Sequence, residues 1–90
     1  MAGSVYAEKL RDRRWQQRRL KIFERDGWVC KHPDCRDRED LTVPLCVHHL
    51  VYFPNTDPWD YANEDLVTWC ERCHDRHHRG LRQAELGLAA

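Results

Sequence analysis

The chain is 90 residues long, a third of them charged, and its Lys and Arg balance its Asp and Glu to a formal net charge of zero. So short a chain forms one small domain with a modest core, and such domains often need a metal or disulfides for stability. No apolar run is long enough to cross a membrane as a helix, and no membrane partner is expected. Met1 to Tyr6 lacks the apolar core of an export signal, and the five cysteines are odd in number. A reducing, cytoplasmic compartment is therefore expected, where cysteines hold metals more often than they pair as disulfides.

Charge is unevenly spread. Lys9, Arg11, Arg13, Arg14, Arg18, Arg19, Lys21 and Arg25 crowd the first third, while Asp57, Asp60, Glu64 and Asp65 come later. A basic face on a neutral protein can grip phosphates locally; the alternative is an ordinary solvated helix face.

Residues Met1 to Arg11 read as loosely organised, with Tyr6 and Leu10 as docking points. Asp12 suits a helix N-cap, and Trp15, Arg19, Ile22 and Phe23 then fall on one helical face. Asp26-Gly27 supplies the stop, which predicts a helix over 12–26. A short extended piece, Trp28 to Cys35, turns at Pro33. Leu41 to His49 reads as a strand, with Pro44 on an edge. Leu50 to Ala62 reads as a loop with a turn over 58–61, and Leu66 to Cys70 as a second strand. A final helix is expected from Cys73 to about Arg82, with Gly80 interrupting or ending it, and 83–90 extending the helix or fraying. The core is placed over about 12–82.

Two close cysteine pairs, Cys30 with Cys35 and Cys70 with Cys73, have the pattern of a tetrahedral structural zinc site. Free thiols or two local disulfides are the alternative. His32 lies inside the first pair, and Cys46 reads as a small buried hydrophobe. The other five histidines are His48, His49, His74, His77 and His78. On a helix, His74 and His78 point from one face at a separation suited to one metal ion. On a strand, His48 and His49 point to opposite faces, so one can join the metal while the other does something different. A three-histidine site leaves positions open for water or substrate, as catalytic sites do. The alternative is a histidine-rich surface with one satisfied core histidine.

His48-His49-Leu50, Asn63 ahead of Leu66-Val67-Thr68-Trp69-Cys70, and Cys70-x-x-Cys73-His74 together resemble the HNH endonuclease family, whose fold is the ββα-metal or His-Me finger. The likeness runs from about Trp15 to His78 and includes two cysteine knuckles, the first with four intervening residues where two is commoner. The resemblance implies a small α+β domain: a β-hairpin plus helix preceded by a long helix and stapled by a four-cysteine zinc site. It implies His49 as general base, Asn63 as the residue orienting base and loop, and His48, His74 and His78 as ligands of a catalytic divalent cation. His77 receives no role.

The implied activity is metal-dependent hydrolysis of DNA phosphodiester bonds, with structural Zn²⁺ and one catalytic Mn²⁺, Ni²⁺, Zn²⁺, Co²⁺ or Mg²⁺. Three imidazoles suit the transition metals better than Mg²⁺. Arg14, Arg18, Arg72, Arg76 and Arg79 are the candidate phosphate contacts on double-stranded DNA, and such contacts position without reading sequence. Low sequence specificity follows, and a monomer nicks one strand unless it dimerises. The rival is a non-catalytic zinc-ribbon module that binds nucleic acid or protein.

Overall fold

The computed structural model describes residues 2–85, with side-chain surroundings for 6–81. It is a small α+β fold in the order α1 (Ala2–Leu10), α2 (Arg13–Arg25), β1 (Leu45–His49), β2 (Leu66–Cys70) and α3 (Glu71–Glu85), with short 3-10 turns at Pro58–Asp60 and Asn63–Asp65. The strands form one antiparallel sheet in which Leu45 faces Cys70, Val47 faces Thr68 and His49 faces Leu66. No described helix is long and apolar enough to cross a membrane.

The α2 boundaries follow from its caps. The Asp12 carboxylate accepts the Arg14 N–H at 2.8 Å, and Gly27, at φ 71°, turns the chain out of the helix. Trp15, Ile22 and Phe23 are buried against Val47, Tyr61 and Leu66, forming one half of the core. Cys30, Val43, Trp69, Cys70 and Cys73 form the other half on the far side of the sheet. With period-2 alternation, Val47, His49, Leu66 and Thr68 face α2, whereas Cys46, His48, Val67 and Trp69 face α3.

A buried carboxylate ties the end of α2 to the sheet. Asp26 accepts Arg25 Nε at 2.9 Å and the Thr68 N–H at 2.9 Å, while Arg25 Nη2 donates to the Leu66 carbonyl at 2.7 Å. Burial works to raise the Asp26 pKa, but the hydrogen bonds from Arg25 and Thr68 outweigh it and hold the group below its usual value.

Three expectations need correction. Residues 2–10 are helical rather than loose: Ala7, Glu8, Lys9 and Leu10 favour helix, and the segment is held back on α2 by Gln16 donating to the Leu10 carbonyl at 2.8 Å. β1 starts at Leu45 rather than Leu41, because Asp40 accepts the Thr42 N–H and hydroxyl and bends the chain there. α3 begins at Glu71, two residues early, and runs through Gly80, which faces open space and is carried by its neighbours. Residues 86–90 lie outside the described chain.

Candidate metal centre and adjoining cleft

Cys30, Cys35, Cys70 and Cys73 converge, with their sulfurs all within 4.8 Å of one another. All five cysteines are free thiols, so neither local pair is a disulfide. Thiolates about 2.3 Å from a shared tetrahedral zinc stand about 3.8 Å apart; the Cys35 and Cys70 sulfurs are 3.9 Å apart. The donor set fits a structural metal such as zinc.

Its framework is local. Cys70 ends β2 and immediately precedes α3, so the Cys73 N–H points at its sulfur. Burial would raise the Cys70 thiol, but the hydrogen bonds from the Cys73 backbone and side chain outweigh it and pull the pKa below its ordinary value. Burial pushes Cys30 up and Cys73 up to about 12. Four thiolates in this setting are therefore costly without a cation to neutralise them. Arg76 Nη2 donates to the Cys73 sulfur at 3.2 Å. The first knuckle is tacked to β2 by the Lys31 N–H donating to Thr68 O at 2.8 Å, and Arg38 Nε donates to Cys30 O at 2.8 Å. His32 stays outside the cluster: its Nδ1 accepts the Asp34 N–H, and its ring packs edge-on against Trp69.

His48, His74 and His78 form a second group with one ring nitrogen of each within 4.8 Å of the others. His74 Nε2 and His78 Nε2 lie 3.1 Å apart, four residues apart on one face of α3. Two such nitrogens at about 2.0–2.1 Å from a shared tetrahedral ion would stand about 3.3 Å apart. His48 is 4% exposed and its Nδ1 is sealed from solvent with no hydrogen-bond partner. Burial first, and the neighbouring histidines second, lower the His48 pKa to about 4, and burial followed by His78 lowers that of His74. Neutral imidazoles are the form that ligates metal, so this donor set also fits a transition-metal ion. Trp69 stacks on the His48 ring with centroids 3.9 Å apart, and His77 closes edge-on at 4.8 Å. His77 thus packs the ligand rather than joining the group.

His49 points off the other face of β1. Its ring is stacked on Trp15 at 5.0 Å and met edge-on by Tyr61 at 4.7 Å. His49 Nε2 lies 3.2 Å from the Pro58 carbonyl. A carbonyl only accepts, so Nε2 carries the proton and Nδ1 keeps the basic lone pair. Burial lowers the His49 pKa, partly opposed by the Pro58 contact, and the ring is neutral at neutral pH. The sealed, unpartnered side-chain atoms among the described residues are Arg18 Nε and His48 Nδ1.

The two faces of β1 meet at its open edge. A cleft of about 300 Å³ is bordered there by His49, Tyr52, Arg19 and Tyr6 on one side and by His74 and His78 on the other. A larger opening of about 560 Å³ also reaches His74 and His78, beside Glu71, Arg72 and Asp75, but does not touch His49.

Asn63 and the five arginines each have contacts of their own within the chain. The Asn63 side chain is exposed and has no hydrogen bond to His49; its backbone carbonyl accepts Arg25 Nη1 at 2.6 Å, which ties the loop to α2. Pro58, inside a stretch readable only as a turn, supplies the carbonyl that touches the ring. Arg18 is half-buried and donates to Tyr61 O at 2.9 Å, and Arg14 pairs with Asp12 while lying 4.1 Å over Trp59. Arg72 pairs with Asp37, Arg76 with Cys73 and Arg79 with Asp75. Each of the five already has a partner within the chain. Cys46 donates to Trp69 O at 3.4 Å, and burial raises its thiol to about 12, the profile of an unreactive packing residue. Comparison with known proteins gives no match: no family model, no curated protein and no solved structure resembles the chain.

Proposed function

We propose that the chain is a metal-dependent endonuclease of the HNH, ββα-metal type that hydrolyses DNA phosphodiester bonds, nicking with low sequence specificity. The observation that carries this reading is the shared cleft: a neutral, oriented His49 borders the same space as His74 and His78, two members of the three-imidazole group whose third, His48, is buried behind them. Phosphodiester hydrolysis needs an activated water and neutralisation of charge at the phosphate. His49 Nδ1 accepts the proton of the attacking water, while the Pro58 carbonyl holds Nε2–H and fixes the ring. Trp15 and Tyr61 keep the imidazole from turning. His48, His74 and His78 would hold a divalent ion, which would supply Lewis-acid stabilisation of charge at the phosphate. The cysteine group would hold zinc as a staple and take no part in chemistry.

Incubation of supercoiled plasmid with the zinc-loaded chain and Mn²⁺, Ni²⁺, Co²⁺, Zn²⁺ or Mg²⁺ tests the reading. Nicked circles are expected, with rates falling by about 10²–10⁴ in His49→Ala while fold and zinc content persist. Intact plasmid with every metal would transfer the protein to the class of non-catalytic zinc-ribbon binding modules.

A further inference from the structure

Directly after His48-His49 the chain places four apolar residues in a row, all facing out. Leu50 is 52% exposed, Val51 39%, Tyr52 59% and Phe53 53%. Elsewhere a helix or strand would bury such a run, and an exposed cluster of this kind marks a binding surface. The loop is nevertheless firmly built. The Leu50 N–H donates to Asp65 O at 2.9 Å, the Phe53 N–H donates to the Tyr61 hydroxyl at 2.9 Å, and the Phe53 ring stacks on Tyr61 at 5.7 Å. At the far end Asn55, with φ 58°, turns the chain back. Tyr52 lies 5.5 Å from the His49 ring and borders the cleft, where Arg19 contributes a cation.

We propose that Tyr52 and Phe53 form a stacking platform for an unpaired nucleobase next to the phosphate in the cleft, so that the preferred substrate is DNA carrying unpaired nucleotides. This rests on the nuclease reading above. Exposed aromatic rings beside a cleft that carries the Arg19 guanidinium match the two surfaces of a nucleotide, its base and its phosphate. In paired DNA each base is already stacked and its face is unavailable; at a bulge, fork or gap it is free. The arginines on α2 and α3 named above are tied to partners within the chain, so the aromatic faces, more than a broad basic track, would distinguish substrates.

The test is binding of the full, zinc-loaded chain, without added divalent ion, to three labelled probes by fluorescence anisotropy. These are a fully paired duplex, the same duplex with a thymidine bulge, and one whose bulge has abasic positions. The thymidine bulge is expected to bind about tenfold tighter than paired duplex, and the abasic bulge to lose that advantage. Tyr52→Ala with Phe53→Ala should erase the difference. So should leucine at both positions, which keeps the apolar area and removes the flat faces, while circular dichroism and zinc content stay unchanged. Equal binding of all three probes, or discrimination that survives both double variants, overturns the platform. So does a wild-type dimer that becomes a monomer in the alanine variant, which would assign the run to self-association. Nicking of plasmid is scored separately: discrimination without cleavage rejects the nuclease reading alone, and cleavage without discrimination rejects the platform alone.

Discussion

Helix α3 carries both side-chain clusters, and they differ in what surrounds them. On one face Cys73 joins Cys30, Cys35 and Cys70, of which Cys30, Cys70 and Cys73 are almost wholly buried, inside half of the core. On another, His74 and His78 are half-exposed and border two openings. The first cluster connects two stretches of chain far apart in sequence and has little solvent access; the second borders open space. Closed coordination belongs to holding a fold, and open coordination to chemistry. One helix can serve both because residues 73 and 74 project about 100° apart around its axis.

The largest expected effect breaks the comparison by deleting one donor from each side. Cys70→Ser should abolish cooperative thermal unfolding. A structural zinc contributes on the order of 10 kcal/mol of folding free energy, comparable with the whole stability of a small domain. His78→Ala should leave the melting transition within about 1 kcal/mol of wild type, as surface-side substitutions do, while metal uptake at the histidine group falls. Calorimetry with metal analysis decides it; equal losses in both variants would mean that the two clusters are a single structural unit.

A smaller effect separates the clusters by pH. His48 titrates near 6.5 when unfolded and at about 4 when folded. Its folded pKa is lowered, so its neutral form stabilises the protein fully above pH 6.5, and that contribution is lost as pH falls towards 4. In protein with the histidine group metal-free, going from pH 7 to pH 5 should cost about 2 kcal/mol in urea unfolding. His48→Leu should flatten this dependence. Zinc content followed across the same range shows whether the cysteine cluster contributes to the slope.

The smallest effect leaves both clusters untouched. Gly80 lies in α3 past the last histidine, and a Cβ there meets nothing within 4 Å. Gly80→Ala should stabilise the protein by about 0.5–1 kcal/mol, read as a higher melting temperature, with both metal stoichiometries unchanged.

Much of this was written along the chain. The α2 caps at Asp12 and Gly27, the strand over 66–70 and the α3 spacing of His74 and His78 are local patterns, and each depends on neighbours within a few residues. The pairing of Cys30 and Cys35 with Cys70 and Cys73 was legible because ligand spacing is a chemical signature. Residues 2–10 were missed because a short helix with little apolar periodicity is stabilised by docking, here through Gln16 and the Lys9–Asp57 ion pair at 2.7 Å. Nothing near Asn63 signalled that Pro58 would provide the carbonyl at His49, since that contact depends on how the 50–62 loop closes. The partners of Arg18, Arg72 and Arg76, namely Tyr61, Asp37 and Cys73, lie across the fold or on the adjacent turn, where a reading along the chain does not place them.

Sequence alone determined the donor types, the helix and strand periods, and the consequence that His48 and His49 leave β1 on opposite faces. Only tertiary structure decided that those faces meet again. Among the described residues the sheet contains two strands, which leaves β1 a free edge, and the side chains of α1, α2 and α3 wrap that edge from both sides. Alternation is a property of the backbone within one strand, whereas the shape of an edge is set by whatever packs beside it.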